Sequence, residues 1–334
     1  MASCTGRACV NLEGLRRALG ATAILEAASA LKASGRPTVN AAQLWRYFTT
    51  SVYASGDLPV IATREALQNS VDAIRASIRQ RQIGPKDGRF DVVWEESSRT
   101  LSFADNGIGM DADTILGKFL SLGDSGKTDA TDSDQAAGGF GIAKAVILGV
   151  SETFRWELFS RDNHAVSKGA GQEIAVYGVA SRQGSMIRIF DVPTEYLRWW
   201  VYERDRSEPL LDRLRVLLAA NDLLDLRLSL NGEAVKPLFS RRGGTPISKA
   251  GAWGNGNTAV SRAYRRPPGQ AGGAFYVRLG GLFQFAQSSA AKLPADVVVD
   301  LLTTTRPGSM GYPLTAARDR LQGAASHALN DLVE

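Results

Sequence analysis

Residues 61–81, with the sequence IATREALQNSVDAIRASIRQR, decide the fold of this chain. Apolar side chains recur in this segment at helical spacing, at Ile61, Leu67, Val71, Ile74 and Ile78. Because this spacing is typical of a helix with one buried face, we predict an amphipathic helix over the whole segment. Glu65, Asn69 and Asp72 stand at i, i+4 and i+7 and therefore share one face of that helix. A solvated polar stripe is the alternative explanation for these three side chains.

A hairpin and a glycine-flanked aspartate follow this helix. We predict strands over residues 90–94 and 100–104, because both runs are rich in strand-forming residues and a polar turn separates them. The second strand leads directly into Asp105-Asn106-Gly107-Ile108-Gly109-Met110. Two glycines beside a carboxylate allow a flat base to approach the backbone closely. An Asx turn after the hairpin is the alternative explanation.

A third element, Gly138-Gly139-Phe140-Gly141, opens a helix that we predict to end near Gly149. The free N–H groups and the positive dipole end of such a helix favour phosphate. Residues 123–139 before it are small, polar and rich in glycine without periodicity, so we predict a mobile loop there. Taken alone, this glycine cluster is weak evidence for a phosphate site.

In their order and spacing, the three elements resemble motifs of the GHKL superfamily, which comprises gyrase B, the ninety-kilodalton heat-shock chaperones, histidine kinases and MutL, along with the MORC proteins. Glu65-x-x-x-Asn69-x-x-Asp72-Ala73 looks like the N-box of that superfamily, Asp105-x-Gly107-x-Gly109 like its adenine-binding motif, and Gly138 to Gly141 like its last glycine box. The resemblance implies an α/β fold of the Bergerat type, a two-layer sandwich of a mixed sheet and helices. A smaller α+β domain, similar to the middle or transducer domains, would follow it.

The resemblance also assigns ligands and roles. ATP and Mg²⁺ would be bound, with Asn69 holding Mg²⁺ through its amide oxygen. Asp105 would accept a hydrogen bond from the adenine amino group, and Glu65 would orient and deprotonate the attacking water. Asp72 would support the binding site of the adenine base, and the Ser185 hydroxyl would contact the adenine through a water molecule. The expected cofactor-binding residues are Asn69, Asp72, Ala73, Asp105, Gly107, Gly109, Met110, Lys127, Gly138, Gly139, Phe140, Gly141 and Ser185.

Residues 125–128, Ser-Gly-Lys-Thr, suggest a P-loop, but the position of its first glycine is occupied by Ser121. We therefore reject the P-loop. In the GHKL interpretation this segment is the ATP lid, and Lys127 or Ser125 contacts phosphate when the lid closes. A solvated loop charge explains Lys127 equally well. The third glycine of the chaperone-type box is replaced by Ala143, so phosphate contacts there would differ in detail.

Residues 313–322 are similar to the catalytic loop of the middle domain of the heat-shock chaperones. Arg318 is the candidate for the arginine that reaches the γ-phosphate, and Gln322 falls at a matching place. A surface arginine in the first turn of a final helix, which we predict to start at Leu314, is the alternative for Arg318.

The chain of 334 residues is long enough for more than one domain. We predict an N-terminal helical extension over residues 1–58, the ATP-binding domain over residues 59–193 and an α+β domain over residues 194–334. Before residue 193 we predict further strands over residues 153–159, 173–179 and 185–190. In the last part, we predict helix over residues 194–220, interrupted at Pro209, and a strand over residues 226–230 that ends in an Asn231-Gly232 turn. A loop rich in glycine, arginine and proline would cover residues 241–273, followed by strands over residues 275–285 and 297–302.

Charge and composition narrow the partners. The net charge of +5 permits a nucleic-acid partner, and the densest basic stretch is Arg241, Arg242, Arg262, Arg265 and Arg266. A solvated flexible loop is the alternative for that stretch. Because the chain shows no long apolar stretch and its two cysteines, Cys4 and Cys9, suggest neither disulfides nor a metal site, we expect a cytoplasmic protein without a membrane partner.

The expected function is a slow Mg²⁺-dependent ATPase in which nucleotide binding and hydrolysis drive lid closure, domain docking and homodimerisation, as a chaperone-like switch acting on a protein client. A DNA-engaged, ATP-gated clamp of the MutL or MORC type is one alternative. An ATP-sensing scaffold with negligible turnover is another. Glu65 and Arg318 favour these groups over the histidine kinases, which use ATP to phosphorylate protein.

Overall fold

The structure, a computed structural model, describes residues 56–120, 143–168, 173–201, 206–240, 242–247, 251–252, 258–265, 273–303, 313–314 and 321. All of these residues belong to the same structural unit, Trp45–Glu334. The predicted helices before residue 56 and the predicted lid loop lie outside the described residues. In the described part of the chain, the fold is a strand-rich mixture of α-helices and β-sheets.

The helices of the described segments are few, and one of them is long. They are α1 (Leu58–Arg79), α2 (Ala112–Thr114), α3 (Ala143–Gly149) and α4 (Leu210–Ala219). The predicted helix over residues 61–81 is confirmed as α1, which starts earlier because Pro59 fits the first helical turn, where its missing N–H leaves no bond unmade. Asp111 caps α2 by accepting from the Thr114 N–H, and a π-helical turn, Ile115–Phe119, follows it.

Sixteen strands are described, and two large sheets contain most of them. The strands are β1 (Gly88–Glu95), β2 (Thr100–Asp105), β3 (Trp156–Ser160), β4 (Asn163–Lys168), β5 (Glu173–Gly178), β6 (Ser185–Ile189), β7 (Arg198–Val201), β8 (Arg206–Pro209), β9 (Leu226–Leu230), β10 (Glu233–Ala234), β11 (Thr245–Pro246), β12 (Gly251–Ala252), β13 (Thr258–Arg265), β14 (Ala274–Leu279), β15 (Leu282–Ser288) and β16 (Ala295–Leu302).

The first sheet has the strand order β10-β9-β1-β2-β6-β3-β4-β5. Strands β1 and β9 are parallel and all the other neighbours are antiparallel, so the sheet is mixed. The predicted hairpin is confirmed as β1 and β2, with Phe90 opposite Asp105. Strands β9 and β10 belong to the same sheet, which therefore takes strands from both sides of residue 193, where we predict a domain boundary.

Helix α1 packs its apolar stripe on the first sheet. Ala62, Leu67, Val71 and Ile74 are buried in one core with side chains of β1 and β2 such as Phe90, and that core also contains residues of α3, α4 and β9. Because alternate residues of β1 are buried, one face of this strand carries the core side chains.

The second sheet has the order β11-β13-β16-β14-β15, with β12 paired to β13. It has a core of its own, to which β14 and β16 contribute Phe275, Val277, Val297, Val299 and Leu301. Leu282 at the start of β15 belongs instead to the core of the first sheet. The side of the second sheet formed by β15 is therefore anchored beside α1.

A buried arginine ties the start of α1 to α4. Arg213 of α4 donates hydrogen bonds to the Asp57 carboxylate and to the carbonyl oxygens of Glu208 and Tyr196. Its side chain is 4% exposed, so these partners replace the water that its charge would otherwise need.

Several sequence predictions are wrong in this structure. Of the residues predicted as helix, Arg198–Val201 and Arg206–Pro209 instead form the antiparallel strands β7 and β8, in which Trp199 lies opposite Glu208. The helix of this stretch, α4, begins only at Leu210. The loop predicted over residues 241–273 contains strand β13, and strand β4 is absent from our prediction. The single strand predicted over residues 275–285 is two strands, because Gly280 and Gly281 adopt φ values of 58° and 92° and turn the chain.

In the segments that the structure describes, no helix combines the length and the apolar character needed to cross a membrane.

Candidate functional site

Two of the three predicted motifs meet directly in the C-terminal half of α1. The N–H of Ile108 donates to the carbonyl oxygen of Ala73 over 3.2 Å. A Cβ atom on Gly107 would lie only 2.7 Å from both the carbonyl carbon and the Cβ of Ala73, so only glycine allows this approach. The structure therefore places the loop after β2 against the helix face that carries Asp72 and Ala73.

The carboxylate of Asp105 lies at this junction. Its Oδ1 accepts a hydrogen bond from the Gly107 N–H at 2.8 Å, and its Oδ2 accepts one from the Ser70 hydroxyl at 3.1 Å. Burial raises the pKa of Asp105 from 3.8 to about 6, although the bonds from Gly107, Ser70 and the Ser185 N–H and the charge of Arg182 oppose this shift. At neutral pH Asp105 is mostly an ionised hydrogen-bond acceptor in a poorly solvated place.

The rest of the loop is held by β3 and the start of β6. Gly109 adopts a φ of 66°, which glycine reaches without strain. The Met110 N–H donates to the Ser160 hydroxyl at 2.6 Å, and the hydroxyl oxygens of Ser160 and Ser185 are 2.8 Å apart. Ser185 is thus connected to the Asp105 loop both through Ser160 and through its own N–H.

Asn69 and Asp72 lie on the same stretch of α1 and are both half-buried. Asn69 directly precedes Ser70, whose hydroxyl reaches Asp105. Across the described segments, the Asn69 amide makes no hydrogen bond. An unbonded amide oxygen in a half-buried position is suited to a hard cation such as Mg²⁺.

Glu65 lies one helical turn before Asn69 and is buried, with 4% of its surface exposed. Its Oε1 accepts two hydrogen bonds from Arg64, at 3.2 Å from Nε and 2.8 Å from Nη2. The structure therefore holds the predicted base in a buried ion pair with the residue next to it in the sequence.

The third motif and the second-domain residues are not described. Gly138, Gly139, Phe140, Gly141, Lys127, Arg318 and Gln322 all lie outside the described residues. Helix α3, which begins at Ala143, confirms that a helix follows the glycine box, and it packs against α1. Leu314, where we predict the final helix to start, pairs in an isolated β-bridge with Leu321.

Some residues of this region were missed from the sequence. Ser70 lies inside the Glu65–Asp72 motif and donates to Asp105. Its position one residue after Asn69 could have identified it as a residue of the site. Ser160 and Arg161 were missed, since they come from another strand: the Arg161 Nε donates to the Ile108 carbonyl oxygen at 3.0 Å. No local sequence pattern connects β3 to the loop after β2.

The basic stretch predicted for nucleic acid is partly described. The Arg262 guanidinium donates to the carbonyl oxygen of Gly243, so one of its arginines stabilises the second sheet. Arg242 and Arg265 are exposed.

Comparison with models of known protein families gives no match for this chain. A search of curated proteins likewise gives no significant match.

Proposed function

We propose that this chain binds ATP with Mg²⁺ in a Bergerat-type pocket between α1 and the loop after β2, and hydrolyses it slowly. The contact of Gly107 with Ala73, which brings the half-buried Asp105 carboxylate within a hydrogen bond of Ser70 on α1, is the observation that carries the proposal. A two-layer sandwich is the finer form of the fold that this function implies, with α1 and α3 covering the first sheet.

The proposed adenine site centres on Asp105. A half-buried carboxylate that is mostly ionised at neutral pH accepts a hydrogen bond from an amino group strongly, because water competes for it less than at an exposed site. The backbone of Gly107 and Gly109 carries no side chain, so the flat base can lie against the loop. Ser185, linked to Ser160, supplies a hydroxyl beside the same carboxylate.

The proposed phosphate end lies toward the start of α1. Asn69 would bind Mg²⁺ through its amide oxygen, and this ion would neutralise phosphate charge when bound. Glu65, one turn away, would orient and deprotonate the attacking water, a role worth about 10²–10⁴-fold in rate. Lys127, the glycine box and Arg318 would complete the phosphate contacts in this proposal.

Slow turnover suits a conformational switch. We propose that ATP binding closes the lid over the nucleotide, docks the second sheet region and favours a homodimer, and that hydrolysis reverses these changes. The client of such a switch would be a protein, and DNA is the alternative partner through the exposed arginines of the basic stretch.

The test separates binding from turnover. We expect Glu65→Ala to bind ATP with an affinity close to that of the unaltered chain, measured by isothermal titration calorimetry with Mg²⁺, and to lose phosphate release by at least about a hundredfold. Glu152→Ala, an exposed carboxylate, is the matched control and should change neither measurement.

Three outcomes are informative. An unaltered chain that does not bind ATP overturns the proposal. ATP binding with no phosphate release would identify an ATP-sensing scaffold instead of an ATPase. Equal loss of binding and turnover in Glu65→Ala would remove the base role from Glu65 while leaving the pocket in place.

A further inference from the structure

The second sheet contacts α1 at the turn that carries the proposed base. Gln284 of β15 is 1% exposed and lies between two residues of α1. Its carbonyl oxygen accepts a hydrogen bond from Arg64 Nη1 at 2.9 Å, and its side-chain Oε1 accepts one from Gln68 Nε2 at 3.2 Å. Its own amide donates to the Leu282 carbonyl oxygen at 3.0 Å. Gln284 therefore connects β15 to the second and third turns of α1.

Arg64 joins this contact to Glu65. The planar guanidinium donates through Nε and Nη2 to Glu65 and through Nη1 to Gln284, so one rigid group spans the carboxylate and the second sheet. Arg64 is 7% exposed, and its direction is set by these partners more than by water. A displacement of β15 would change the direction of Arg64 and, with it, that of the carboxylate.

We propose that Gln284 and Arg64 are positioning residues for Glu65, through which the seating of the second sheet on α1 controls the rate of ATP hydrolysis without changing ATP affinity. This inference rests on the proposed ATPase function. It adds a route by which the rest of the chain regulates that site.

The physical reason is the narrow geometry that a general base requires. The two hydrogen bonds from Arg64 to Oε1 fix the plane of the Glu65 carboxylate, and that plane decides how a base meets the attacking water. A misplacement of about 1 Å at such a group can cost about 10²-fold in rate. Asp105, which we assign to the base of the nucleotide, is bonded to Ser70 and Gly107 and does not depend on Arg64.

The contact between β15 and α1 is buried and partly apolar. Leu282 is 1% exposed and packs in the core of the first sheet, so β15 is held at one end by apolar contacts. The Gln68 Oε1 atom is buried and has no hydrogen-bond partner among the residues that the structure describes, so the bond from its amide to Gln284 is the polar link seen for this side chain. Loss of that link would leave a buried amide unsatisfied and favour separation of the two elements.

The first experiment alters the arginine in the full-length chain. Arg64→Lys keeps the charge but loses the planar group that donates to Glu65 and Gln284 together. Arg64→Ala removes the guanidinium and leaves a cavity of its size. We expect kcat to fall roughly tenfold to a hundredfold in both variants while the ATP dissociation constant stays within about twofold. Added guanidinium chloride at millimolar concentration should restore part of the kcat of Arg64→Ala. Arg79→Ala, in the last turn of the same helix, is the control, and it should alter neither kcat nor the ATP dissociation constant.

The second experiment alters the contact between Gln284 of β15 and Gln68 of α1. Gln284→Leu should lower kcat several-fold with ATP affinity unchanged, because it removes the acceptor for Gln68. The double variant Gln68→Leu/Gln284→Leu removes both polar partners, so we expect kcat to recover toward that of the unaltered chain. Thermal unfolding of each variant reports whether a change in kcat reflects loss of fold.

The outcomes distinguish this inference from the function on which it rests. Hydrolysis by the unaltered chain, with kcat unchanged in Arg64→Lys and Gln284→Leu, would overturn the positioning role and leave the ATPase standing. Parallel loss of affinity and kcat, or loss of kcat without guanidinium rescue, would also count against it. An unaltered chain that binds no ATP would overturn both.

Discussion

The hydroxyl of Ser70 donates a hydrogen bond to the Asp105 carboxylate at 3.1 Å, which connects α1 to the end of β2 at one side chain. These residues are far apart in sequence but belong to two motifs that we recognise from the sequence. Because Gly107 closes on Ala73 at the same point, the helix and the loop form a continuous surface.

Asp105→Asn should weaken ATP binding by roughly ten- to a hundredfold, because a charged hydrogen bond of this kind contributes about 1.5–3 kcal/mol. Calorimetric titration with ATP and Mg²⁺ measures the change. Asp113→Asn, at an exposed carboxylate of α2, is the control and should leave the dissociation constant unaltered. Equal affinities for the Asp105 variant and the unaltered chain would show that adenine is not read by this carboxylate.

The affinity for ATP should also depend on pH, because burial raises the pKa of Asp105 to about 6. Protonation below that value removes the acceptor charge, so we expect affinity to fall by up to roughly tenfold between pH 7 and pH 5. ATP itself loses charge in this range. Asp105→Asn therefore supplies the reference, and its affinity should change less. A pH profile identical in both proteins would contradict the assignment.

The same shift has the opposite sign for folding. A carboxyl whose pKa is higher in the folded chain than in the unfolded chain favours the fold when it is protonated. The contribution of Asp105 to stability is therefore greatest below its unfolded value of 3.8 and declines as pH rises through about 6. At neutral pH the half-buried, ionised carboxylate of Asp105 therefore destabilises the folded chain, while it provides a strong hydrogen-bond acceptor.

The elements that the sequence predicts correctly are those with a strong local pattern. Helix α1 has apolar residues at helical spacing, and β1 buries every second residue. The Asn231-Gly232 turn between β9 and β10 has φ values of 50° and 82°, as expected from residue types that tolerate them. In each case the local preference and the tertiary contacts agree.

The elements that the sequence misses depend on partners elsewhere in the chain. Strand β13 buries the small residues Ala259 and Ser261, so it lacks the large apolar side chains by which a strand is recognised. The residues around Trp199 and Trp200 favour a helix, yet these two residues belong to β7, which pairs antiparallel with β8. Arg64 looked like an ordinary helix residue, since its partner Gln284 comes from a distant strand.

Gly107→Ala should separate the loop from α1, because the added Cβ would lie 2.7 Å from the Ala73 backbone. Overpacking of this kind costs about 1–3 kcal/mol. We expect a lower midpoint in urea denaturation together with weaker ATP binding. Gly117→Ala is the matched control, since a Cβ there would meet no atom within 4 Å. If the two variants unfold at the same urea concentration, the close approach of Gly107 to Ala73 does not limit stability.

Arg213→Met should destabilise the chain by about 3–5 kcal/mol, because it removes a buried cation and leaves the Asp57 carboxylate and two carbonyl oxygens without their donor. Methionine fills most of the arginine stem, so the loss would arise from polar groups and not from a cavity. Arg215→Met on the same helix removes an exposed arginine paired with exposed Glu233, and should cost less than about 1 kcal/mol. Urea denaturation of both variants measures the difference. A small effect at Arg213 would mean that water replaces the guanidinium, and the start of α1 would then be held by apolar packing alone.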